Sequence, residues 1–358
     1  MKFYKILILF SAHFFISHTV ICQNKDKAVR KLFSSIVYLS DSISQRAGTG
    51  FLISKDLDDY LVTAEHVAKS ISIHGSVQYR GENGTRKKIP IAHLLNSNKT
   101  NNISWIVHPT ADVAVLHLGL RKMDSIELSK LDIRTISYSS LNDSLAAPDR
   151  LREVTVFGFP LNLGISSSNI SPVTKNLRPS SDIVYIQRAD NKKLNPFFIL
   201  DDPSISGFSG GPVMHTYNPK IPDYMDDPIE VSPTILGLVH GTISDKTGGF
   251  AAIVPSINIV ETIELAPSFN GLYKFYYPNG KLWSERIYKN GIPWRVISNY
   301  SPEGESQEKG TLKNGNGTIE IYDESGTLKW SFHYKNGRPQ GNSYHMSDAE
   351  IMKSGMRN

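Results

Sequence analysis

The stretch Ser206-Gly207-Phe208-Ser209-Gly210-Gly211-Pro212 sets one serine among three glycines and runs directly into apolar Val213 and Met214. Glycine admits positive φ and close backbone approach. Around a serine, that freedom lets backbone N–H groups converge on one point, the arrangement that stabilises an oxyanion. Taken alone the stretch is equally a tight turn between strands. Whether a base and an orienting acid exist elsewhere decides between the two.

Working outward, the flanking pattern is one of short strands. Ser35–Leu39, Gly48–Ile53, Tyr60–Ala64, Ile71–Tyr79 and Val113–Leu118 are five- to nine-residue runs rich in Val, Ile, Phe and Tyr. Strands resume at Glu153–Phe159, Ile183–Arg188, Phe197–Leu200, Pro212–His215, Ile235–His240 and Gly249–Val254. No sustained 3.6-residue period occurs among the early segments, although Val67–Ile71 fits a single helical turn. Ser256–Leu265, between Pro255 and Pro267, reads as one closing helix. The expectation is a mainly β fold, a barrel or sandwich.

Two upstream segments supply a base and an acid. Leu61-Val62-Thr63-Ala64-Glu65-His66 ends a strand on a histidine, and Ala111-Asp112-Val113-Ala114-Val115-Leu116 sets one carboxylate at the start of an apolar strand. An acid there is costly without a partner. His66, Asp112 and Ser209 follow in that order, 46 and 97 residues apart.

With these segments Gly48-Thr49-Gly50-Phe51-Leu52-Ile53 and Leu236-Gly237-Leu238-Val239-His240-Gly241 complete five motifs in order. On them, residues of about 30–265 resemble the trypsin-like, chymotrypsin-fold serine endopeptidases in the disulfide-free form common in bacteria. The resemblance implies a double β-barrel and peptide-bond hydrolysis through an acyl-enzyme. His66 would be the general base, Asp112 its orienting acid and Ser209 the nucleophile, with the Gly207 and Ser209 N–H groups as oxyanion hole. Two positions depart from the family pattern: Glu65 replaces a small residue and Phe208 a polar one. For the substrate pocket, Asp201 and Asp202 suggest a basic substrate residue, whereas Ser204 and His240 suggest an acidic one, with His240 one position out of register. These hints oppose each other and leave specificity open.

Rival chemistry finds less support. Gly207–Gly211 also fits the G-x-S-x-G elbow of α/β-hydrolases, but that fold needs a helix after the serine and then Asp before His downstream. The eleven histidines include no HExxH pair, and Gly207–Gly211 lacks the Lys-Ser/Thr ending of a phosphate loop. No metal and no cofactor is implied. A catalytically silent, protease-like secreted module that binds or adheres through its C-terminal part is the alternative of a different class.

Past Pro267 the chain turns repetitive. Asn290-Gly291 recurs as Asn314-Gly315 and Asn336-Gly337, and Gly280 recurs as Gly304 and Gly326; both series step by 24 and then 22 residues. Such a period signals a stacked array, and Asn-Gly between strand-like runs predicts a hairpin turn. Residues 271–342 resemble the MORN-type variant of a bacterial antitoxin-like repeat family, which implies a partner-binding or scaffold role. The expected organisation is thus 1–22 signal peptide, 23–267 protease domain, 268–345 β-hairpin repeats and 346–358 polar tail.

Composition sets the remaining bounds. Forty per cent hydrophobic and 20% charged residues describe a globular chain. Of the +5 net charge, Lys2 and Lys5 contribute two, leaving +3 without a basic stripe; nucleic acid is not an expected partner. Lys2 and Lys5 precede an apolar Ile6–Ile21 run, a secretory signal with cleavage after Cys22. The run is short of the roughly 20 residues of a membrane span, so the mature chain is expected to be secreted or periplasmic and to lack a transmembrane span. Bulky Ile21 argues against a lipid anchor on Cys22. Cys22 is the only cysteine, so the mature fold rests on its core without disulfides. Protein or peptide substrates, and a protein or surface partner for the repeats, are the expected partners.

Overall fold

The computed structural model describes residues 32–340 apart from 56–57, 73, 95–104, 121–132, 189–190, 217–232, 245, 247, 268–269, 278 and 324. The signal segment 1–22 and the tail 346–358 lie outside the described residues.

The chain is mainly β. Its first sheet takes β1 (Ile36–Asp41), β2 (Arg46–Lys55), β3 (Asp58–Thr63), β4 (Ser76–Arg80), β5 (Arg86–Pro90), β6 (Ile106–Val107), β7 (Ala114–Leu120) and β8 (Ile136–Ser137). Seven of them run in the order β5-β4-β1-β2-β3-β7-β6, and β8 adds in parallel to β2. The second sheet takes β9 (Val154–Gly158), β10 (Val173–Leu177), β11 (Val184–Gln187), β12 (Leu194–Leu200), β13 (Pro212–His215), β14 (Thr234–Ser244) and β15 (Gly249–Pro255). Their order is β10-β9-β13-β14-β15-β12-β11. These are the two barrels of a trypsin-like fold.

The apolar runs read from the sequence become the most buried strands. All six residues of β3 are buried, and β2 is buried from Gly48 to Ser54. One core gathers Phe51, Leu61, Val62, Val115 and Phe157, and a second gathers Val156, Phe198, Val213, Val239 and Ile253. Fully burying such a side chain contributes about 1.5–3 kcal/mol, which is how a fold without disulfides holds together.

Two expectations need correction. The predicted strand over Ile71–Tyr79 begins only at Ser76, because the preceding residues complete α1 (Glu65–Ser70), with Ile71 as its C-cap. His66 therefore sits in the first turn of a helix rather than at the end of a strand. The closing helix appears as α2 (Ile257–Glu264), with Ser256 and Leu265 as its caps.

The repeats form two further antiparallel sheets. One runs β16 (Gly271–Tyr276), β17 (Leu282–Lys289), β18 (Ile292–Tyr300) and β19 (Ser306–Gln307); the other runs β20 (Gly317–Tyr322), β21 (Leu328–Lys335) and β22 (Arg338–Pro339). Asn290-Gly291 joins β17 to β18 and Asn336-Gly337 joins β21 to β22, all four residues at positive φ (51°, 74°, 52° and 75°), as a two-residue hairpin turn requires. Asn314-Gly315 has the same dihedrals but closes only the isolated bridge Lys313–Asn316. The second glycine series also serves turns: Gly280, Gly304 and Gly326 each donate N–H to the carbonyl three residues back. Trp283, Tyr277, Ile319, Ile321 and Phe332 fill the space between the sheets. Arg286 is buried with them, its guanidinium 5.0 Å from the Phe275 ring.

Candidate active site

Two barrels contribute to one site. From the first, β3 delivers His66 through the start of α1, and the turn before β7 delivers Asp112. From the second, the turn before β13 carries Ser209, β14 carries His240 and the residue after β11 is Arg188.

Asp112 is fully buried and both its oxygens are engaged. Oδ1 accepts the His66 backbone N–H (3.0 Å) and Arg188 Nη2 (3.1 Å). Oδ2 accepts from His66 Nδ1 (2.7 Å) and His240 Nδ1 (2.5 Å). Burial by itself would raise this carboxyl's pKa, but the hydrogen bonds and charge of His240 and His66 outweigh it and hold the pKa far below the carboxylate range. An ionised Asp112 fixes the proton of His66 on Nδ1 and leaves Nε2 free to accept one. The His66 side chain is 37% exposed.

Arg188 adds a buried counter-charge to this carboxylate. Its side chain is inaccessible to solvent and links Asp112 to Glu65 Oε2 (Nη1, 2.7 Å), with a further bond to the Thr110 carbonyl (3.1 Å). Glu65 in turn meets Lys69 Nζ at 2.6 Å. The glutamate that departs from the family pattern is thus the counter-charge of a buried arginine. Sequence reading missed Arg188; the signal was an acid at position 65 that needed a cation.

The loop that carries Ser209 is held by backbone geometry. Gly210 has φ +82°, and a Cβ there would stand 2.2 Å from Thr63 Oγ1 and 2.3 Å from the Thr49 carbonyl oxygen. Thr49, also unanticipated, clamps the loop: its N–H donates to the Ser209 carbonyl (3.0 Å) and its Oγ1 to the Gly207 carbonyl (2.6 Å). Phe208 does not lean over the site. Its ring is buried in the second core with Val156, Phe198 and Val213, anchoring the loop from beneath.

The amides of the loop fall into two sets. Phe208 N–H donates to the Ile205 carbonyl, Gly210 N–H to Val239 and Gly211 N–H to Phe208. Among the described residues, nothing claims the N–H groups of Gly207 and Ser209, the two that an oxyanion hole would need. Ser209 Oγ donates to the His240 carbonyl at 3.2 Å, and no hydrogen bond joins it to His66 among the described residues.

A groove of about 480 Å³ is lined by His66, Ser204, Ile205, Ser206, Ser209, His240, Gly241 and Thr242. Thr242 Oγ1 bonds the Ser204 carbonyl across it (2.7 Å). Of the pocket residues expected from sequence, Ser204 and His240 line the groove. Asp202 is not among the lining residues, and its carboxylate pairs with Lys175 Nζ at 2.6 Å. His66, Asp112 and His240 bring ligand-type atoms within 4.8 Å of one another. Both Nδ1 atoms and Oδ2 are, however, spent on hydrogen bonds to each other, the bonding of a charge network rather than of a coordination site.

Residues 48–218 match the family described as trypsin-like peptidase domain. With the two-barrel architecture, this match gives the chain a trypsin-like, serine protease fold. No curated protein matches the chain. Among solved structures, it is similar to the MamO protease domain from Magnetospirillum magneticum, with 13% identity and a TM-score of 0.42, covering 65% of this chain and 97% of that one. Deg5 aligns at 17% identity and TM-score 0.41, over 67% of this chain and 91% of Deg5. The HtrA-type protease AlgW, crystallised with a tripeptide, aligns at 15% identity and TM-score 0.41, over 88% of this chain and 94% of AlgW. Among the described residues no helix is long and apolar enough to cross a membrane.

Proposed function

We propose that the chain is a secreted serine endopeptidase acting through His66, Asp112 and Ser209. The observation that carries this reading is the 2.7 Å bond from His66 Nδ1 to a buried, ionised Asp112, with Ser209 on the same groove. A serine hydroxyl is a weak nucleophile until a base takes its proton. Once substrate excludes water, His66 Nε2 accepts the Ser209 proton as Oγ attacks the scissile carbonyl. The resulting imidazolium is stabilised by Asp112. The unclaimed Gly207 and Ser209 amides receive the developing oxyanion, each such donor being worth about 3–4 kcal/mol of barrier. His66 then returns the proton to the leaving amine, and a water repeats the cycle on the acyl-enzyme.

One observation favours the silent, binding-only reading: Ser209 Oγ rests on the His240 carbonyl rather than on His66. Catalytic hydrogen bonds often close only in the substrate complex, so the protease reading accommodates it. Incubating the mature protein with a denatured protein mixture and sequencing the products tests the proposal. Cleavage that vanishes in Ser209→Ala supports it; cleavage that persists, or none in the wild type, removes it.

The MORN-type repeats are proposed to recruit protein substrates or a surface partner, because stacked hairpins present an extended face. Their exposed apolar side chains include Leu272, Leu328 and Trp330. Deleting residues 268–358 should weaken cleavage of native proteins and spare that of short peptides. Equal activity on both would rule recruitment out.

A further inference from the structure

Asp112 has more partners than a base-orienting acid needs. An ionised carboxylate offers about four lone-pair sites, and here His66 N, His66 Nδ1, Arg188 Nη2 and His240 Nδ1 take all four. Two histidines therefore bond one oxygen. We propose that His240 is a positioning residue that shares Asp112 Oδ2 with His66, so that the general base titrates as one member of a coupled histidine pair. This rests on the protease reading of the same site.

The local structure is built for this contact. β14 shifts register between Val239 and Gly241 where it pairs with β15, and a bulge of this kind re-aims a side chain. The His240 ring lies against Phe197 (centroids 5.1 Å apart) and stands edge-on to His66 (5.7 Å, 85°). Its main-chain carbonyl accepts from Ser209 Oγ. One residue thus touches the acid through its ring and the nucleophile through its backbone, while lining the groove.

The charges facing His240 come from each side. α1 presents His66, the turn before β7 presents Asp112, and beyond Asp112 lie Arg188 and then Glu65 with Lys69. From β12 the neighbour is the uncharged Phe197 ring. The single carboxylate stabilises either imidazolium, but a second proton must go onto a ring beside one already charged. Interacting sites of this kind lose their protons in two macroscopic steps that belong to the pair. The acid limb of kcat/KM should accordingly be broader than that of one ionisation.

Three readouts test this. In low-field proton NMR of 15N-histidine-labelled protein, two Nδ1–H signals of strongly hydrogen-bonded imidazole are expected, and His240→Asn should lose one of them. Asparagine supplies a donor near the Nδ1 position but does not titrate, so the acid limb of His240→Asn should narrow to a single ionisation. His240→Ala, which lacks the donor, should lower kcat more than it changes KM, and Asn should restore most of that loss. A single low-field signal in the wild type overturns the inference, as does an acid limb unchanged in His240→Asn. Should neither variant fold, the wild-type NMR titration alone decides, because independent single-site curves for the two histidines contradict coupling. The NMR needs no turnover, so it stands apart from the protease reading. A protein that labels at Ser209 but shows no coupled pair refutes the inference and leaves that reading intact.

Discussion

The two sides of the groove are held in place by different physics. On the side of His66 and Asp112, a charge network runs from exposed Lys69 through buried Glu65, Arg188 and Asp112 to two imidazoles, with Arg188 and His240 reaching in from the second barrel. On the other side, Ser209 rides a loop fixed by glycine sterics, by Thr49 and by the Phe208 ring, none of them charged. The first side is electrostatically committed before substrate arrives. The second is shaped, but its hydroxyl still points to a backbone carbonyl. On the proposed protease reading, the difference teaches that the base is prepared in advance while the nucleophile is engaged by substrate binding.

The largest effect should come from cutting the link between the two sides. Ser209→Ala or His66→Ala should lower kcat/KM about ten-thousand- to million-fold, because triad members act as a unit, with Tm kept in Ser209→Ala and lowered in His66→Ala, which strips a partner from the buried Asp112. Measuring both variants and the double mutant checks this, and additive losses would break the picture of one joint machine.

Next comes the charge network. Arg188→Met leaves Asp112 and Glu65 buried without their shared cation, and removing one partner of a buried pair costs about 3–5 kcal/mol. Denaturant unfolding should show that loss, and Glu65→Gln added to Arg188→Met should recover part of it. On the other side, Phe208→Ala should cost about 3–5 kcal/mol as a cavity. It should do so without altering the pH profile, whereas Arg188→Met alters both. Equal pH profiles for the two variants would erase the contrast between the sides.

How much of this the sequence disclosed follows the same division. Features written in local pattern were legible: the apolar strands, the Asn-Gly turns at 290–291 and 336–337, and the serine loop with its glycines. Features that depend on which distant side chains meet were not. Arg188 looked like the end of a strand, and only the fold brings it 3.1 Å from Asp112 and 2.7 Å from Glu65. Thr49 lay inside a quoted motif, yet its clamp on Gly207 spans 158 residues. The helix at Glu65–Ser70 was foreshadowed only as one turn, because six residues are too few to show a period. Phe208 stood out as unusual, but its direction, inward to the second core, is a tertiary fact.

The smallest predicted effect lies outside both sides. Asp41 accepts hydrogen bonds from Ser72, Ile43 and Ser44, with Ser72 dominant, and its pKa is lowered to about 2. A carboxyl with a depressed folded-state pKa contributes stability above its unfolded value and loses it as pH falls through the folded one. The stability gap between wild type and Asp41→Asn should therefore be constant above about pH 4 and shrink from about pH 4 to about pH 2. A gap that is flat across this window would show that those backbone bonds do not distinguish charge.

The most direct measurement is fluorophosphonate labelling of the folded mature protein, read by intact mass and by mapping the modified residue. The account predicts one adduct on Ser209, none in Ser209→Ala and much slower labelling in His66→Ala. A folded wild-type protein that forms no adduct, or one that labels at a residue other than Ser209, would contradict it.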